Sequence, residues 1–388
     1  QDQVGVEDLR HDALQAKIES GEWTEGEGLV AVLKVFAGES RAAAVFGSTP
    51  IDVSEGTGVL ETARQYLETG TDQAAKDEIQ RLLILISPST EDLKNSVPYR
   101  QGASPAKVAA PLRLDCLQAD GSTIPCYEYI DETVSGEHYK IYLPLAWPDG
   151  DPRHAFIELV LEAVREAVPK YRALGSLSSA RFVFTLLGSP DGPWFTADAF
   201  AGSPCPILIY PSALNLDPAP FKQTIAHELF HCFQYDNLNA QTVGVGYAAR
   251  RWWSEGTAEY FGNVVFPSTN FEYGKLGPYD SATRAQPITG STDAIAYGNF
   301  IFFQFLANRV GDTGVLDLLR SLPTSGGSDA QETALAGYPN MAALFQDFAQ
   351  AYWDRTIIDT DRSVQMRGAA PVMDPLRIND TFAQDLYA

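Results

Sequence analysis

Apolar side chains recur at helical spacing over residues 6–18, 25–36, 56–67 and 72–84, for example at Leu29, Leu33 and Phe36, with Gly- and Ser-containing turns between the stretches. This spacing predicts an α-helical module over residues 1–98. The segment 95–111, with Ser, Gly and three prolines, reads as a linker or an irregular entrance to a second domain. From 112 to 145 the pattern changes to β-type alternation, with turn signals at Asp120-Gly121 and Ser135-Gly136, which predicts a hairpin or meander. A long amphipathic helix comes next over 155–174, then short apolar strands over 181–187 and 206–210 and helices over 221–234, 253–265, 297–310 and 315–322. Residues 267–293 are rich in Gly, Ser, Thr, Pro and Tyr and read as a long loop over a site, and the chain beyond about 356 as an extended surface tail. The fold class expected is α+β. The second domain, 99–388, divides into an α/β upper part to about 240 and a mainly helical lower part over 250–355.

The 388 residues are 45% hydrophobic, enough for a substantial core. A formal charge of −22 makes the surface repel phosphate backbones and anionic headgroups, which argues against nucleic acid and acidic membranes as partners. No apolar run reaches the roughly 18 residues of a membrane helix. The sequence starts at Gln1 rather than Met, as a chain with its secretory leader removed would, and the expected location is extracellular. Cys116 and Cys126 flank Asp120-Gly121-Ser122, and a three-residue hairpin loop there would set them opposite one another for a cross-strand disulfide. Cys205 and Cys232 stay open between a second disulfide and two buried thiols.

The segment carrying chemistry is Thr224-Ile225-Ala226-His227-Glu228-Leu229-Phe230-His231, an H-E-x-x-H pattern on a predicted helix. At 100° per residue, His227 and His231 lie about 40° apart and one turn apart, so both imidazoles can reach one ion. Phe221, Ile225, Leu229 and Cys232 form an apolar stripe on the opposite side, whose burial would turn the histidines toward a cleft. Glu228 points roughly 100° from the ligand direction, within reach of a water activated by the metal, and fits a general base. A catalytic zinc needs a third protein ligand. Downstream, Trp253-Ser254-Glu255-Gly256-Thr257-Ala258-Glu259-Tyr260 sets two carboxylates at i and i+4 on one helical face.

His227–His231 followed by W-x-E-G-x-A-E-Y resembles the gluzincin metallopeptidases, the group that includes thermolysin-like and aminopeptidase N-like enzymes. The resemblance implies a zincin-like catalytic domain with Zn2+ as cofactor, His227, His231 and Glu255 as ligands, and Glu259 supporting the first histidine. A supporting carboxylate also has its own physical reason, since zinc-bound histidines generally give their other N–H to one. Spacing alone leaves the two glutamates interchangeable. An oxyanion donor is also required, and the five histidines of the chain include none after the motif. Tyr297-Gly298-Asn299-Phe300 is similar to the tyrosine-bearing helix start that supplies this donor in aminopeptidase N-like enzymes, although the usual Lys-Gly after it is absent; Tyr273 and Tyr279 are the alternatives. The specific resemblance covers about residues 221–262.

Trp252 and Trp253 read as core anchors, the aromatic run 300–305 as core, Arg250 and Arg251 as surface or helix-start charges, and His11, His138 and His154 as exposed. The sequence has no Gly-x-Met-Glu-Asn-type segment of the kind that grips a free amino terminus in aminopeptidase N-like enzymes. The function expected is therefore a secreted zinc endopeptidase acting on peptides or proteins. A catalytically silent binding protein on the same scaffold and a zinc hydrolase of non-peptide amides or esters are the other two classes the residues allow.

Overall fold

The structure is a computed structural model that describes residues 17–40, 56–88, 93, 97–98, 115–117, 123–144, 151–175, 181–186, 196–199, 205–238, 247–323 and 327–360, except positions 19, 38, 126, 135–136 and 291. It is mixed α/β and mostly helical. Ahead of the sheet lie the helices α1 (Glu25–Phe36), α2 (Gly56–Thr69) and α3 (Gln73–Ile86). The helix expected over 6–18 lies almost wholly outside the described residues. Thr24 and Glu27 close a capping box at the start of α1, and the Asp72 carboxylate accepts from two backbone N–H groups at the start of α3.

Six strands form one sheet in the order β1 (Val97–Pro98), β4 (Tyr127–Val134), β5 (Glu137–Pro144), β6 (Arg181–Leu186), β8 (Cys205–Ile209), β7 (Ala197–Ala199). β4 and β5 are antiparallel, with Val134 opposite Glu137 across the turn expected at 135–136. β5, β6 and β8 run parallel. β2 (Asp115–Leu117) and β3 (Thr123–Pro125) make a separate hairpin whose register sets Cys116 opposite Ile124. The register expected for a three-residue loop is thus shifted, because the ladder closes at Leu117 and Thr123 and leaves a longer connection. Cys126 itself is outside the described residues.

Alternation along the strands explains why these apolar runs are nearly continuous. Tyr139, Ile141, Leu143, Phe184, Leu186, Ile207 and Ile209 pack on one face, and Tyr127, Tyr142, Val183 and Leu208 on the other. A sheet buried on both faces has no polar side to show. The second face packs against Leu29, Leu33, Leu60, Ile79 and Leu82 of α1–α3, so the N-terminal helices share a core with the sheet. The first face carries α4 (Ala155–Leu174) and α5 (Pro218–Asn237). Tyr171 of α4 packs edge-on against Phe230 of α5 and donates its hydroxyl proton to the Ala226 carbonyl at 2.8 Å. The Cys205–Cys232 disulfide, with Cα atoms 5.9 Å apart, joins β8 to α5 and resolves the alternative left open for these two cysteines.

Beyond α5 the described residues are mainly helical, with α6 (Tyr247–Val265), α7 (Leu276–Ala282), α8 (Asp293–Gly298), α9 (Phe300–Ser321), α10 (Ser328–Gly337) and α11 (Met341–Asp354). The expected loop over 267–293 is mostly structured. A 3-10 turn at Phe271–Lys275 leads into α7, and Glu272, Leu276 and Tyr279 are buried. Scattered glycines and prolines hide these anchors; Gly298 has no side chain because a Cβ there would meet the Tyr279 ring at 2.5 Å. Tyr297 closes the short α8 instead of opening the next helix, and the expected break between two later helices is the kink at Gly311, φ 74°. The tail also begins differently from expectation, since Ile357 and Asp359 are buried. No helix among the described residues is long and apolar enough to cross a membrane.

Candidate metal centre

α5 starts at Pro218, a residue suited to the first helical turn, with Asp217 before it in extended conformation. Its apolar stripe of Phe221, Ile225, Leu229 and Cys232 is buried as expected, but so is almost all of the rest from Gln223 to Gln234. The helix is central, and its histidine side faces a second helix across a cleft. That partner is α6, packed through the stacked Phe230 and Phe261 rings 4.2 Å apart. Trp252 and Trp253 anchor α6 as expected, the former stacked on Phe303. Arg250 and Arg251 lie near the start of α6, as one half of the expectation has it, but not on the surface. Both are buried, and Arg251 forms an ion pair with Asp293 at the start of α8.

The pair of helices brings three donor atoms together. His227 Nε2 and His231 Nε2 are 3.0 Å apart, and Glu255 Oε2 lies 3.3 Å from each. Donors held about 2.0–2.1 Å from one tetrahedral zinc stand about 3.3–3.4 Å from one another. The triangle therefore has the edge lengths of three corners of such a site, and two imidazoles with one carboxylate are the ligand types of a catalytic zinc. Among the described residues no other group of three His, Cys, Asp or Glu side chains converges in this way. Glu259, one turn beyond Glu255, faces the other side of the first histidine, with Oε1 3.8 Å from His227 Nδ1, longer than a hydrogen bond. The same oxygen is 3.8 Å from Lys275 Nζ.

Electrostatics couple the members of the triangle. Burial by itself would raise the Glu255 carboxyl, but the imidazoles, His231 foremost, hold it well below the usual carboxylate range. For His231, burial acts to lower the pKa, and Glu255, helped by Glu228 and Gln234, overrides it and lifts the value to about 9. Glu228 is shifted upward, first by burial and then by Glu255 and Glu259, against the opposing pull of both histidines.

A cleft of about 280 Å³ opens beside the triangle, lined by His227, Glu228, Glu259, Lys275 and Tyr297 among others. The Tyr297 ring stacks on His227 with centroids 5.9 Å apart, and Lys275 Nζ lies 4.8 Å from its centroid. The two alternative tyrosines are turned elsewhere. Tyr273 donates its hydroxyl to Asp359 at 2.5 Å, and Tyr279 is buried edge-on against Tyr352. His154 is partly buried at the entrance to α4.

Two glutamines near the centre were not expected from the sequence. Gln234, three residues after His231, sets its Oε1 2.9 Å from His231 Nδ1. Gln223, four residues before His227, lines the cleft and donates from Nε2 to the buried Glu272 carboxyl group at 2.6 Å. The available signal was positional, since both are polar residues on the histidine side of α5.

Residues 152–326 match a family described as "Putative zinc dependent peptidase (DUF5700)". Among solved structures, the chain is similar to an aminopeptidase N family protein from Idiomarina loihiensis, at 14% identity and a TM-score of 0.39. That likeness covers 58% of this chain and 46% of the other, so the chain spans about half the length of that protein. No curated protein matches the chain. The family match supports a zinc peptidase in general terms.

Proposed function

We propose that this chain is a secreted zinc-dependent endopeptidase that hydrolyses internal peptide bonds of peptides or proteins. The observation that carries the reading is the triangle of His227 Nε2, His231 Nε2 and Glu255 Oε2, with Glu228 beside it in the same cleft. His227, His231 and Glu255 would hold the ion, and Glu259 would orient His227 from its Nδ1 side. When bound, zinc supplies a Lewis acid for a carbonyl oxygen and acidifies a coordinated water. Glu228 is the proton carrier. Its carboxylate takes a proton from the attacking water as the new C–O bond forms, and returns it to the amine nitrogen as the C–N bond breaks. Burial pushes the Glu228 carboxyl upward from its ordinary value, and the two histidines pull it back. The Tyr297 hydroxyl is the donor for the oxygen on which negative charge develops. The Cys205–Cys232 disulfide supports the extracellular placement, because such bonds persist in oxidising compartments.

Metal analysis of protein purified without added zinc should give one ion per chain. Glu228→Gln should retain that ion while cleavage of a peptide library, followed by mass spectrometry, falls by at least about 100-fold. Internal cuts abolished by chelator fit the proposal; a chain that takes up no zinc on reconstitution, or a Glu228→Gln variant as active as the parent, ends it.

A further inference from the structure

We propose that Gln234 is the positioning residue of the centre, fixing the tautomer of His231 and the seating of the Glu255 helix with one side-chain amide. The inference rests on the proposed zinc site and adds a role for a residue outside the ligand set.

Gln234 is fully buried, and its amide makes four contacts. Nε2 donates to the Ser254 carbonyl and to Thr257 Oγ1, each at 2.8 Å. Oε1 accepts from Ser254 Oγ at 3.1 Å and lies 2.9 Å from His231 Nδ1. The orientation of the amide is set by chemistry. A peptide carbonyl can only accept, so the NH2 group must face Ser254 and the oxygen must face the imidazole. An amide oxygen can likewise only accept, so His231 Nδ1 carries the hydrogen. In the neutral imidazole, the form that binds a metal, Nε2 in the triangle is then the nitrogen whose lone pair is available.

Thr257 strengthens this arrangement, because its hydroxyl proton is directed to the Trp253 carbonyl at 2.7 Å and its oxygen is left to accept from Gln234. The three α6 residues involved, Trp253, Ser254 and Thr257, bracket Glu255. A single amide on α5 thus holds His231 in the ligating tautomer and registers α6 so that Glu255 Oε2 reaches both imidazoles. Without an acceptor at this place, His231 could carry its hydrogen on Nε2, directed into the triangle, or would leave a buried N–H unsatisfied.

The test compares Gln234→Met, which keeps the volume and removes the acceptor, with Gln234→Glu, which keeps an acceptor and removes both donors. Zinc affinity would be read by competition with a chromogenic chelator, the His231 tautomer by nitrogen-15 correlation spectra of the zinc-loaded chain, and folding by circular dichroism of the metal-free chain. Gln234→Met should bind zinc about 10–100-fold more weakly. Gln234→Glu should stay within a few-fold of the parent, with Nδ1 protonated. A purely structural glutamine would give the opposite order, since a buried charge with both donors lost disturbs packing more than methionine does. Equal affinity for Gln234→Met and the parent, or a loss in Gln234→Glu as large as in Gln234→Met, overturns the role. If Gln234→Met fails to fold, the tautomer in Gln234→Glu decides: Nδ1 protonated with near-parental affinity supports the role, and Nε2 protonated or weak binding overturns it. A parent chain that binds no zinc overturns the metal reading, whereas a zinc-binding parent with an indifferent Gln234 overturns this inference alone.

Discussion

Glu272 has no solvent exposure, sits in the 3-10 turn behind the cleft, and takes the Gln223 amide on Oε2. Burial, with smaller contributions from Glu259 and Asp359, lifts its pKa to about 8, against the opposing hydrogen bond from Gln223. The native state therefore holds a proton that the unfolded chain releases near pH 4.3. Stability from this group is complete below that pH and is lost as pH rises toward about 8. Glu272→Gln removes the ionisation but keeps an acceptor for Gln223. At pH 8 and above it should melt at least about 2 °C higher than the parent, with the difference shrinking toward pH 5, as read by thermal unfolding of the metal-free chains. A pH-independent difference would show that Glu272 does not titrate across this range. Glu228 is also buried and also raised, yet it lines the cleft and Glu272 does not. Position rather than acidity separates the proposed proton carrier from the structural carboxyl.

At the scale of elements, the centre is a relation between α5 and α6 that must hold to a few tenths of an ångström. Gly256, next to Glu255, shows how α6 is seated. A Cβ there would stand 2.9 Å from Asn299 Cβ, 3.0 Å from Phe303 Cε2 and 3.1 Å from the Ala296 carbonyl, so α6 rests directly on α8 and α9. Asn299 locks the same junction, its Nδ2 donating to the Trp252 and Ile288 carbonyls at 2.9 and 2.8 Å. Alanine at 256 would gain about 1 kcal/mol of helix propensity and lose about 1–3 kcal/mol to overpacking. Denaturant unfolding of metal-free Gly256→Ala should show a net loss, and zinc should bind more weakly because Glu255 is displaced with the helix. Unchanged stability and affinity would mean that α8 and α9 yield freely. In the sequence Glu255-Gly256 is a mark of resemblance; the packing supplies the reason for the glycine.

Across the whole molecule, the sheet carries α5 on one face and the N-terminal helices on the other, and the Cys205–Cys232 bond crosses the first of these layers. Cys205–Cys232 closes a sequence separation of 27, for which chain entropy in the unfolded state gives about 3–4 kcal/mol. The double variant Cys205→Ala/Cys232→Ala should lose stability on that order in denaturant titration, and an unchanged midpoint would mean that packing alone seats α5. The histidine pair, Glu228 and the helix periods of 155–174 and 221–234 were legible because they are local: spacing on a 3.6-residue helix decides which side chains share a face. The buried tryptophans were legible from their apolar bulk, and the two carboxylates of α6 from their i, i+4 separation. What lay beyond reach depended on neighbours distant in the chain. The Cys116 register turned on where a ladder closes, Arg251 was buried because Asp293 meets it from another helix, and 267–293 is held by Leu276 and Tyr279 rather than by any periodic pattern. The sequence by itself determined which side chains could bind a metal and which way they point on their own helix. Only the tertiary structure decided that Glu255 rather than Glu259 completes the triangle, that Tyr297 rather than Tyr273 faces it, and that Gln234 stands behind His231, because each depends on the position of one helix against another, which no spacing within a single helix encodes.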